Sequence, residues 1–249
     1  MCGIAGFVND MPIDVKCPVL QRMTDMIAHR GPDSEGHYID EHAALGHRRL
    51  SIIDLGGGQQ PIYNEDGSKV ITFNGEIYNY QTLREELIAA GHTFTTKSDT
   101  EVLLHGYEQW GVDLLQRVRG MFTFVIWDKN KQELFGARDH FGIKPFYYAK
   151  MNGTFMYASE IKSLLRHPDF VKELNAEALK PYMTFQYPAI GETFFKGVYK
   201  LPEGHYFKYR DGKMDIHRYY DEDFREGKQK LGELVNSIDQ TAVSYTHLR

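Results

Sequence analysis

The sequence predicts an α+β domain in which two β-sheets are covered by helices on their outer sides. Strand patterns come first, two consecutive helix patterns follow, and a second group of strand patterns comes after them. Strands and helices therefore do not alternate as they do in a parallel βαβ fold. With 249 residues, 42% of them hydrophobic and 25% charged, the chain is long enough to bury such a core.

The N-terminal part predicts a helix and the strands of a first sheet. Apolar residues 4–8 predict a buried strand at the start of the chain, and helix-spaced apolar residues follow at 19–27. Cys17 precedes a proline in a stretch that is typical of a loop, and it receives no role. Strand patterns then occur at 36–39, 43–47, 51–53 and 69–73, with turns at 55–58 and 64–67.

Two helices with marked boundaries come next. The first covers residues 80–90, with Asn79 as its N-cap and Gly91 just beyond its end. The second begins at Ser98, and Glu101 three residues later completes a capping box. In such a box the serine side chain caps the helix, and the glutamate reaches back to the serine N–H.

The C-terminal half predicts a second sheet and a final helix. Strand patterns occur at 121–127, 133–138, 145–149 and 154–158. Short helices are expected at 160–165 and 175–183, and short strands within 191–220. Apolar residues between Leu231 and Ala242 line one face of an amphipathic helix.

Composition and charge exclude several classes of protein. The net charge is −5 without a long run of either sign, which argues against nucleic acid or a membrane surface as partner. No signal peptide and no stretch of roughly 20 apolar residues is present, so we expect a cytoplasmic protein. Two cysteines, and histidines without metal-ligand spacing, predict neither a disulfide framework nor a metal site.

Cys2 is the first candidate for chemistry. Met1 is normally removed before so small a residue, which leaves a thiol and a free α-amine on the same residue. An α-amine with a pKa of about 7.7–8.0 can accept the proton of a thiol with a pKa of about 8.5. The plainer alternative is an ordinary small, apolar cysteine at the start of a strand.

Three further positions are candidates, each with a plainer alternative. Asn74 and Gly75 end a strand pattern and could offer an amide and a backbone N–H to an oxyanion, although Asn-Gly is also a common hairpin turn. Arg49 could hold a carboxylate through two hydrogen bonds or be a solvated surface group. Asp99 could bind a ligand ammonium or simply favour the first turn of its helix.

Nine sequence blocks together resemble a known family. The blocks MCGIAG, HRGPD, HRRLSIID, FNGEIYN and KSDTE, which begin at residues 1, 29, 47, 73 and 97, resemble the motifs of class II glutamine amidotransferases in the same order. The blocks RDHFGIKP, ASEIK, FFKGV and LPEGH, which begin at 138, 158, 194 and 201, are similar to glutamine-hydrolysing asparagine synthetases. The resemblance extends to about Tyr220.

That resemblance implies a fold, an activity and a set of site residues. The fold would be a four-layer αββα sandwich of the N-terminal-nucleophile hydrolase type, and the activity glutamine hydrolysis. Cys2 would be the nucleophile, and Asn74 with the Gly75 N–H would form the oxyanion hole. Arg49 would bind the α-carboxylate of glutamine. Glu76 and Asp99 would receive its α-ammonium, and no metal or cofactor would be needed in this chain.

The resemblance also implies how the chain is divided. Residues 2–220 would be the class II glutamine amidotransferase domain, and 221–242 a linker and the first helix of a synthetase domain. That missing C-terminal domain would take aspartate, ATP and Mg, and its S-G-G-x-D-S phosphate motif does not occur in this sequence. Residues 243–249 resemble a translated sequencing adapter, and residues 247–249 also resemble the family's own sequence just before its phosphate motif, so the origin of this segment stays open. A homodimer also stays open.

Two other functions remain alternatives. One is a class II amidotransferase that transfers ammonia to a sugar phosphate or a phosphoribosyl acceptor, which the asparagine-synthetase-like blocks after residue 138 disfavour. The other is a module that binds glutamine without catalysis, which retention of Met1 would favour. An acceptor-dependent product assay distinguishes the first alternative, and N-terminal sequencing distinguishes the second.

Overall fold

The computed structural model describes residues 2–51, 58–187, 191–222 and 230–247. The strands of these segments are β1 (Gly3–Val8), β2 (Ser34–Ile39), β3 (Ala43–Arg49), β4 (Ile62–Tyr63), β5 (Lys69–Ile77), β6 (Gly120–Asp128), β7 (Glu133–Arg138), β8 (Tyr147–Met151), β9 (Thr154–Ala158), β10 (Val198–Lys200), β11 (His205–Arg210) and β12 (Lys213–Arg218). The helices are α1 (Ile13–Asp25), α2 (Tyr80–Ala89), α3 (Asp99–Trp110), α4 (Leu114–Arg117), α5 (Ile161–Leu164), α6 (Leu179–Phe185) and α7 (Leu231–His247).

The strands form two six-stranded sheets of mixed sequence origin. The first has the order β10-β8-β9-β1-β3-β2 and the second the order β12-β11-β7-β6-β5-β4. The expectation that the N-terminal strands form one sheet and the later strands another is therefore wrong. In the first sheet β9 pairs with the N-terminal strand β1 and β8 pairs with β9, and in the second sheet β5 pairs with β6. Antiparallel pairing between distant segments depends on which buried faces fit together, and local patterns carry no record of this.

Three buried clusters show that the molecule has four layers. Ala5 and Phe7 of β1 pack in one cluster with Leu20 of α1, on the outer side of the first sheet. Ile4 of β1 and Val125 of β6 belong to a second cluster, which lies between the two sheets. The third cluster joins the second sheet to α2, α3 and α4. Successive strand residues point to opposite faces, so both faces of each sheet are buried and the predicted αββα sandwich is confirmed.

Helix α1 corrects the expectation for Cys17. The residue lies exposed inside this helix rather than in a loop. Pro18 removes one backbone hydrogen bond from the helix. The helix nevertheless continues, because Val19, Leu20 and Met23 are buried against the first sheet.

Strand β5 is longer than predicted and changes the setting of the Asn-Gly pair. It pairs with β6 over its whole length, from Lys69 opposite Asp128 to Ile77 opposite Gly120. Asn74 and Gly75 therefore lie within a strand, neither in a hairpin turn nor at the strand end. The short strand β4, which pairs with the beginning of β5, was not predicted.

The capping box at α3 is only half formed. The Ser98 hydroxyl caps the helix by accepting a hydrogen bond from the Thr100 N–H at 3.1 Å. The Glu101 carboxylate, however, accepts the backbone N–H groups of Thr95 and Thr96, both at 2.7 Å. It also accepts both threonine hydroxyls. Four hydrogen bonds to the preceding segment outweigh the single bond that a capping box offers.

The remaining predicted features concern residues outside the described segments and the helix near the C-terminus. Residues 52–53 of a predicted strand, 55–57 of a predicted turn and 223–229 of the predicted linker lie outside the described residues. Helix α7 confirms the amphipathic helix near the C-terminus, and its Leu231 and Ile238 are exposed. Among the described helices, none combines the length and apolar character that crossing a membrane requires.

Candidate active site

A cleft at one end of the central core collects the residues that the sequence selected separately. Its lining consists of Cys2, Arg49, Leu50, Gly58, Gln60, Phe73, Asn74, Gly75, Glu76, Ser98, Asp99, Thr100 and Lys144. All six predicted site residues are therefore in one place, although they come from β3, β5, α3 and the residue directly before β1.

Strand geometry explains why these side chains meet. Gly3 pairs with Arg48 where β1 lies beside β3, so the register places Cys2 opposite Arg49 at the next position. Cys2 also shares the parity of Ile4, whose side chain enters the core between the sheets. On β5, Asn74 and Glu76 are two positions apart and share one face of the strand.

The Cys2 thiol is held in a partly buried position. Its Sγ accepts a hydrogen bond from the Leu50 N–H at 3.4 Å. Burial raises the pKa of the thiol above its usual value, and the Leu50 backbone and the charge of Arg49 oppose that rise. The thiol form is thus favoured near neutral pH, and the sulfur becomes a good nucleophile only when a base takes its proton.

The Asn74 side chain offers a donor without an acceptor. The residue is 1% exposed, and its Nδ2 has no hydrogen-bond partner among the described residues. Leaving a buried amide unpaired is costly, and native structures seldom do so without a reason. An unpaired N–H group at the wall of a cleft can stabilise the negative charge that develops on a substrate oxygen.

The backbone of Gly75 supplies a second donor at the same wall. The N–H groups of alternate β5 residues point to the edge that β4 covers. At this edge the Phe73 N–H donates to the Gln60 Oε1 at 2.6 Å, and the Ile77 N–H donates to the Asp99 Oδ2 at 3.0 Å. The pairing of β4 with β5 extends no further along β5 than Ile71. The Gly75 N–H therefore lies beyond β4, between these two side-chain contacts, and faces the cleft.

Only glycine fits at position 75. A Cβ atom there would lie 2.3 Å from the Met121 carbonyl oxygen and 2.8 Å from the Phe122 Cα, both on the backbone of β6. The absence of a side chain therefore allows β5 and β6 to pair closely while the Gly75 N–H stays accessible.

The charged residues of the cleft are buried to different degrees. Arg49 is 8% exposed, so it is not the solvated surface group that its position at a strand end allowed. Asp99 is 4% exposed, and burial raises the pKa of its carboxyl to about 6, with the nearby Glu76 adding to the rise. One guanidinium and two carboxylates in a small cleft match the two ionic ends of an amino acid.

The family of the protein is shown by a match over most of the chain. A family model described as a glutamine amidotransferase domain matches residues 1–220. The chain belongs to this family. The amidotransferase domain thus accounts for nearly all of the described strands and for every residue of the cleft.

Curated relatives are similar to the amidotransferase domain over part of their own length. The chain is 44% identical to asparagine synthetase [glutamine-hydrolyzing] 1 of Bacillus subtilis over 242 residues, which are 96% of this chain and 38% of that protein. It is 37% identical to amidase chry2 of Gibberella zeae over 240 residues, 89% of this chain and 34% of that protein. The chain therefore spans little more than a third of the length of these relatives.

A solved structure shares the fold. The glutamine phosphoribosylpyrophosphate amidotransferase from B. subtilis aligns with a TM-score of 0.63 at 17% identity, over 88% of this chain and 49% of that one. At this identity the likeness shows the fold alone, which agrees with the two-sheet sandwich of the amidotransferase domain.

Sequence reasoning missed two residues of the cleft, Gln60 and Lys144. Burial lowers the pKa of the Lys144 ammonium, as does the nearby charge of Arg30. The loop that carries this lysine is held by Asp139, whose carboxylate accepts the Lys144 N–H at 2.9 Å. The pair Arg138-Asp139 at the end of a buried strand was the available signal. Gln60 had no local signal, because its contacts are all distant in sequence.

Among the described residues, one group outside the cleft has potential metal ligands. Side-chain atoms of Glu65, His92 and His105 lie within 4.8 Å of one another. Hydrogen bonding to Glu101 and Glu108 outweighs burial and raises the pKa of His105 to about 9. An imidazolium has no lone pair for a metal, so an ion bound here would have to displace this proton. That no metal is required stays a prediction.

Proposed function

We propose that the amidotransferase domain hydrolyses L-glutamine to glutamate and ammonia through a thioester on Cys2. The observation that carries the proposal is the unpaired Asn74 amide, which lies with the Gly75 N–H at the wall of the cleft that also holds the thiol. Two preorganised donors beside a nucleophile are what acyl transfer requires, because a tetrahedral intermediate places negative charge on the former carbonyl oxygen.

Removal of Met1 would create the base. While Met1 is attached, the Cys2 nitrogen is an amide and cannot accept a proton. After removal, this nitrogen becomes an α-amine on the same residue as the thiol, with a pKa of about 7.7–8.0. Because burial raises the pKa of the Cys2 thiol, an adjacent amine is the group that can activate it.

The reaction then proceeds in two balanced steps. In the first, the amine takes the thiol proton while Sγ attacks the glutamine Cδ, and Asn74 and Gly75 donate to the oxygen that becomes anionic. Collapse of this intermediate breaks the C–N bond, the amine returns the proton to the leaving nitrogen, and ammonia departs. In the second step, water loses a proton to the amine and attacks the thioester, which releases glutamate and restores the thiol.

The charged residues would orient the substrate. Arg49 binds the α-carboxylate of glutamine, and Glu76 and Asp99 bind its α-ammonium. With both ionic ends held, the carboxamide extends towards Cys2, and the site rejects compounds that lack either charge. The burial of Arg49 and Asp99 supports these roles, because hydrogen bonds between charged groups are strongest where water is excluded.

The acceptor of the ammonia belongs to a larger protein. The similarity to asparagine synthetases supports the proposal that a further domain takes aspartate, ATP and Mg and uses this ammonia to form asparagine in the cytoplasm. The chain spans 38% of that relative, and for its own residues we propose only the glutaminase step, which uses no cofactor.

Glutamate release from glutamine by three purified variants tests the proposal. Cys2→Ala should lose activity to background, whereas Cys17→Ala should retain it, because Cys17 is exposed in α1 outside the cleft. A third variant with Met1 blocked from removal should also be inactive. Glutamate release by Cys2→Ala at the wild-type rate would refute the mechanism.

A further inference from the structure

Gln60 is a buried glutamine whose side chain satisfies the backbone of another strand. It is 6% exposed. Its Oε1 accepts the Phe73 N–H at 2.6 Å, and its Nε2 donates to the Phe73 carbonyl oxygen at 3.1 Å. The Nε2 also donates to the Thr100 Oγ1 at 3.3 Å. One primary amide thus joins the residue before Asn74 to the first turn of α3.

The position of Gln60 explains why a side chain performs this role. In the β4–β5 pair Ile62 lies opposite Ile71, so the same register brings residue 60 opposite Phe73. A continuing strand would bond to both the N–H and the carbonyl of Phe73 through its backbone. Here β4 begins only at Ile62, and the Gln60 amide makes those two bonds instead.

A second side chain holds the same carbonyl from the opposite sheet. The His47 Nε2 lies 3.0 Å from the Phe73 carbonyl oxygen. Burial lowers the pKa of His47 to about 3, so the ring is neutral, and the contact with a carbonyl requires that Nε2 carry its proton. The Phe73 carbonyl oxygen therefore accepts a hydrogen bond from Gln60 on one side and from His47 on the other.

We propose that Gln60 is a positioning residue for the oxyanion hole. By fixing the Phe73 peptide, Gln60 sets the position of the next two residues. It thereby sets the direction of the Asn74 side-chain amide and of the Gly75 backbone N–H. The bond to Thr100 fixes that strand relative to Asp99, which is adjacent in α3. The inference rests on the proposed glutaminase activity and adds to it a residue that acts through the Phe73 peptide rather than on the reacting atoms.

The substitutions Gln60→Met and Gln60→Glu test this role. Methionine keeps the length of the side chain but can neither donate nor accept strongly, and glutamate keeps the shape but loses the donor to Phe73 and Thr100. We expect kcat for glutamine to fall by about 10- to 100-fold in both, less than the loss of an oxyanion donor itself, with KM within about twofold. Gln59→Met is the matched control, because that side chain is exposed and makes one 3.4 Å contact to Glu35.

Inhibitor binding separates positioning from general damage. Glutamate γ-semialdehyde forms a thiohemiacetal with the nucleophile and places an oxyanion in the hole, whereas glutamate occupies the site without one. Gln60→Met should weaken the aldehyde by the same factor as kcat, leave the affinity for glutamate unchanged, and leave the rate of Cys2 alkylation by iodoacetamide unchanged.

Two outcomes would overturn the inference. One is a parallel loss of affinity for aldehyde and glutamate, which would indicate collapse of the cleft. The other is an unchanged kcat in both variants. If Gln60→Met does not fold, the isosteric Gln60→Glu decides the question by the same ratio of affinities. Activity that survives Cys2→Ala would instead refute the proposed function, independently of any result at Gln60.

Discussion

The Asp99 carboxylate accepts the Ile77 N–H at 3.0 Å and so ties the start of α3 to the edge of β5, beyond the point where β4 pairs with it. Two residues earlier on that edge lies Gly75, and two before it the Phe73 contacts to Gln60. Along this edge of β5 lie, in order, the Gln60 amide bonded to Phe73, the Gly75 N–H, and the Asp99 carboxylate bonded to Ile77. In the proposed mechanism, the contacts of Gln60 orient the oxyanion donors, and the Asp99 carboxylate binds the ammonium group of glutamine.

The elevated pKa of Asp99 predicts that glutamine binding depends on pH. The carboxyl, with a pKa of about 6, is charged above that pH and can then pair with an ammonium. We expect KM for glutamine to rise about tenfold for each pH unit below 6 and to be flat above 7. Asp99→Asn should bind more weakly at pH 7.5 and lose this dependence. Initial rates between pH 5 and 8 give the result, and an identical slope in Asp99→Asn would contradict the assignment.

Asn74→Ala should separate catalysis from stability. We expect kcat to fall about 100- to 1000-fold, because one oxyanion donor is lost. The free energy of unfolding should change by less than about 1 kcal/mol, because the Nδ2 that is removed has no partner among the described residues.

Asn64→Ala is the matched control for that prediction. Asn64 is also buried, but its amide donates to the Glu108 Oε1 at 2.7 Å and its Oδ1 accepts the Lys69 N–H at 2.8 Å. This variant should lose stability in urea denaturation and keep kcat in the folded fraction. An equal loss of stability in both variants would argue against a free donor at Asn74.

Gly75→Ala should damage both the fold and the activity. The new Cβ would lie 2.3 Å from the Met121 carbonyl oxygen, so β5 and β6 must separate and the oxyanion N–H must move. We expect destabilisation of about 1–3 kcal/mol and a loss in kcat of at least about 100-fold. Gly232→Ala in α7 has open space and serves as the control. A Gly75→Ala protein with native stability would contradict the geometry.

Glu101 predicts a loss of stability in acid. Hydrogen bonds to His105 and to Thr95 and Thr96 outweigh burial and lower the pKa of this carboxyl to about 2, from about 4.5 in an unfolded chain. The stabilisation is therefore complete above pH 4.5 and disappears as the pH falls through about 2.

Glu101→Gln should lower the free energy of unfolding at pH 7 by about 1.5–3 kcal/mol and flatten its decrease in acid. Glu86→Gln, which breaks an exposed ion pair with Arg117, should cost less than 1 kcal/mol, or about the median for such pairs. Denaturant titrations between pH 3 and 7 compare the two, and equal effects would show that the Glu101 bonds add nothing.

The sequence by itself determined the types of most elements and identified six residues that the fold brings together in the cleft. Nearly continuous apolar runs such as 121–127 predicted strands, because a sheet buried on both faces needs apolar side chains at almost every position. The order of the motif blocks led to Cys2, Arg49, Asn74, Gly75, Glu76 and Asp99, all of which line the cleft.

Only the tertiary structure decided which strands are neighbours and which polar groups pair. Glu101 fitted a capping box within its own helix, yet it binds the segment before it. Gln60 carried no local signal, because its partners Phe73 and Thr100 are 13 and 40 residues away. Helix caps and strand periods are local and can be inferred from spacing. A buried polar side chain instead takes whichever distant backbone group would otherwise be unpaired, and that choice exists only once the layers have come together.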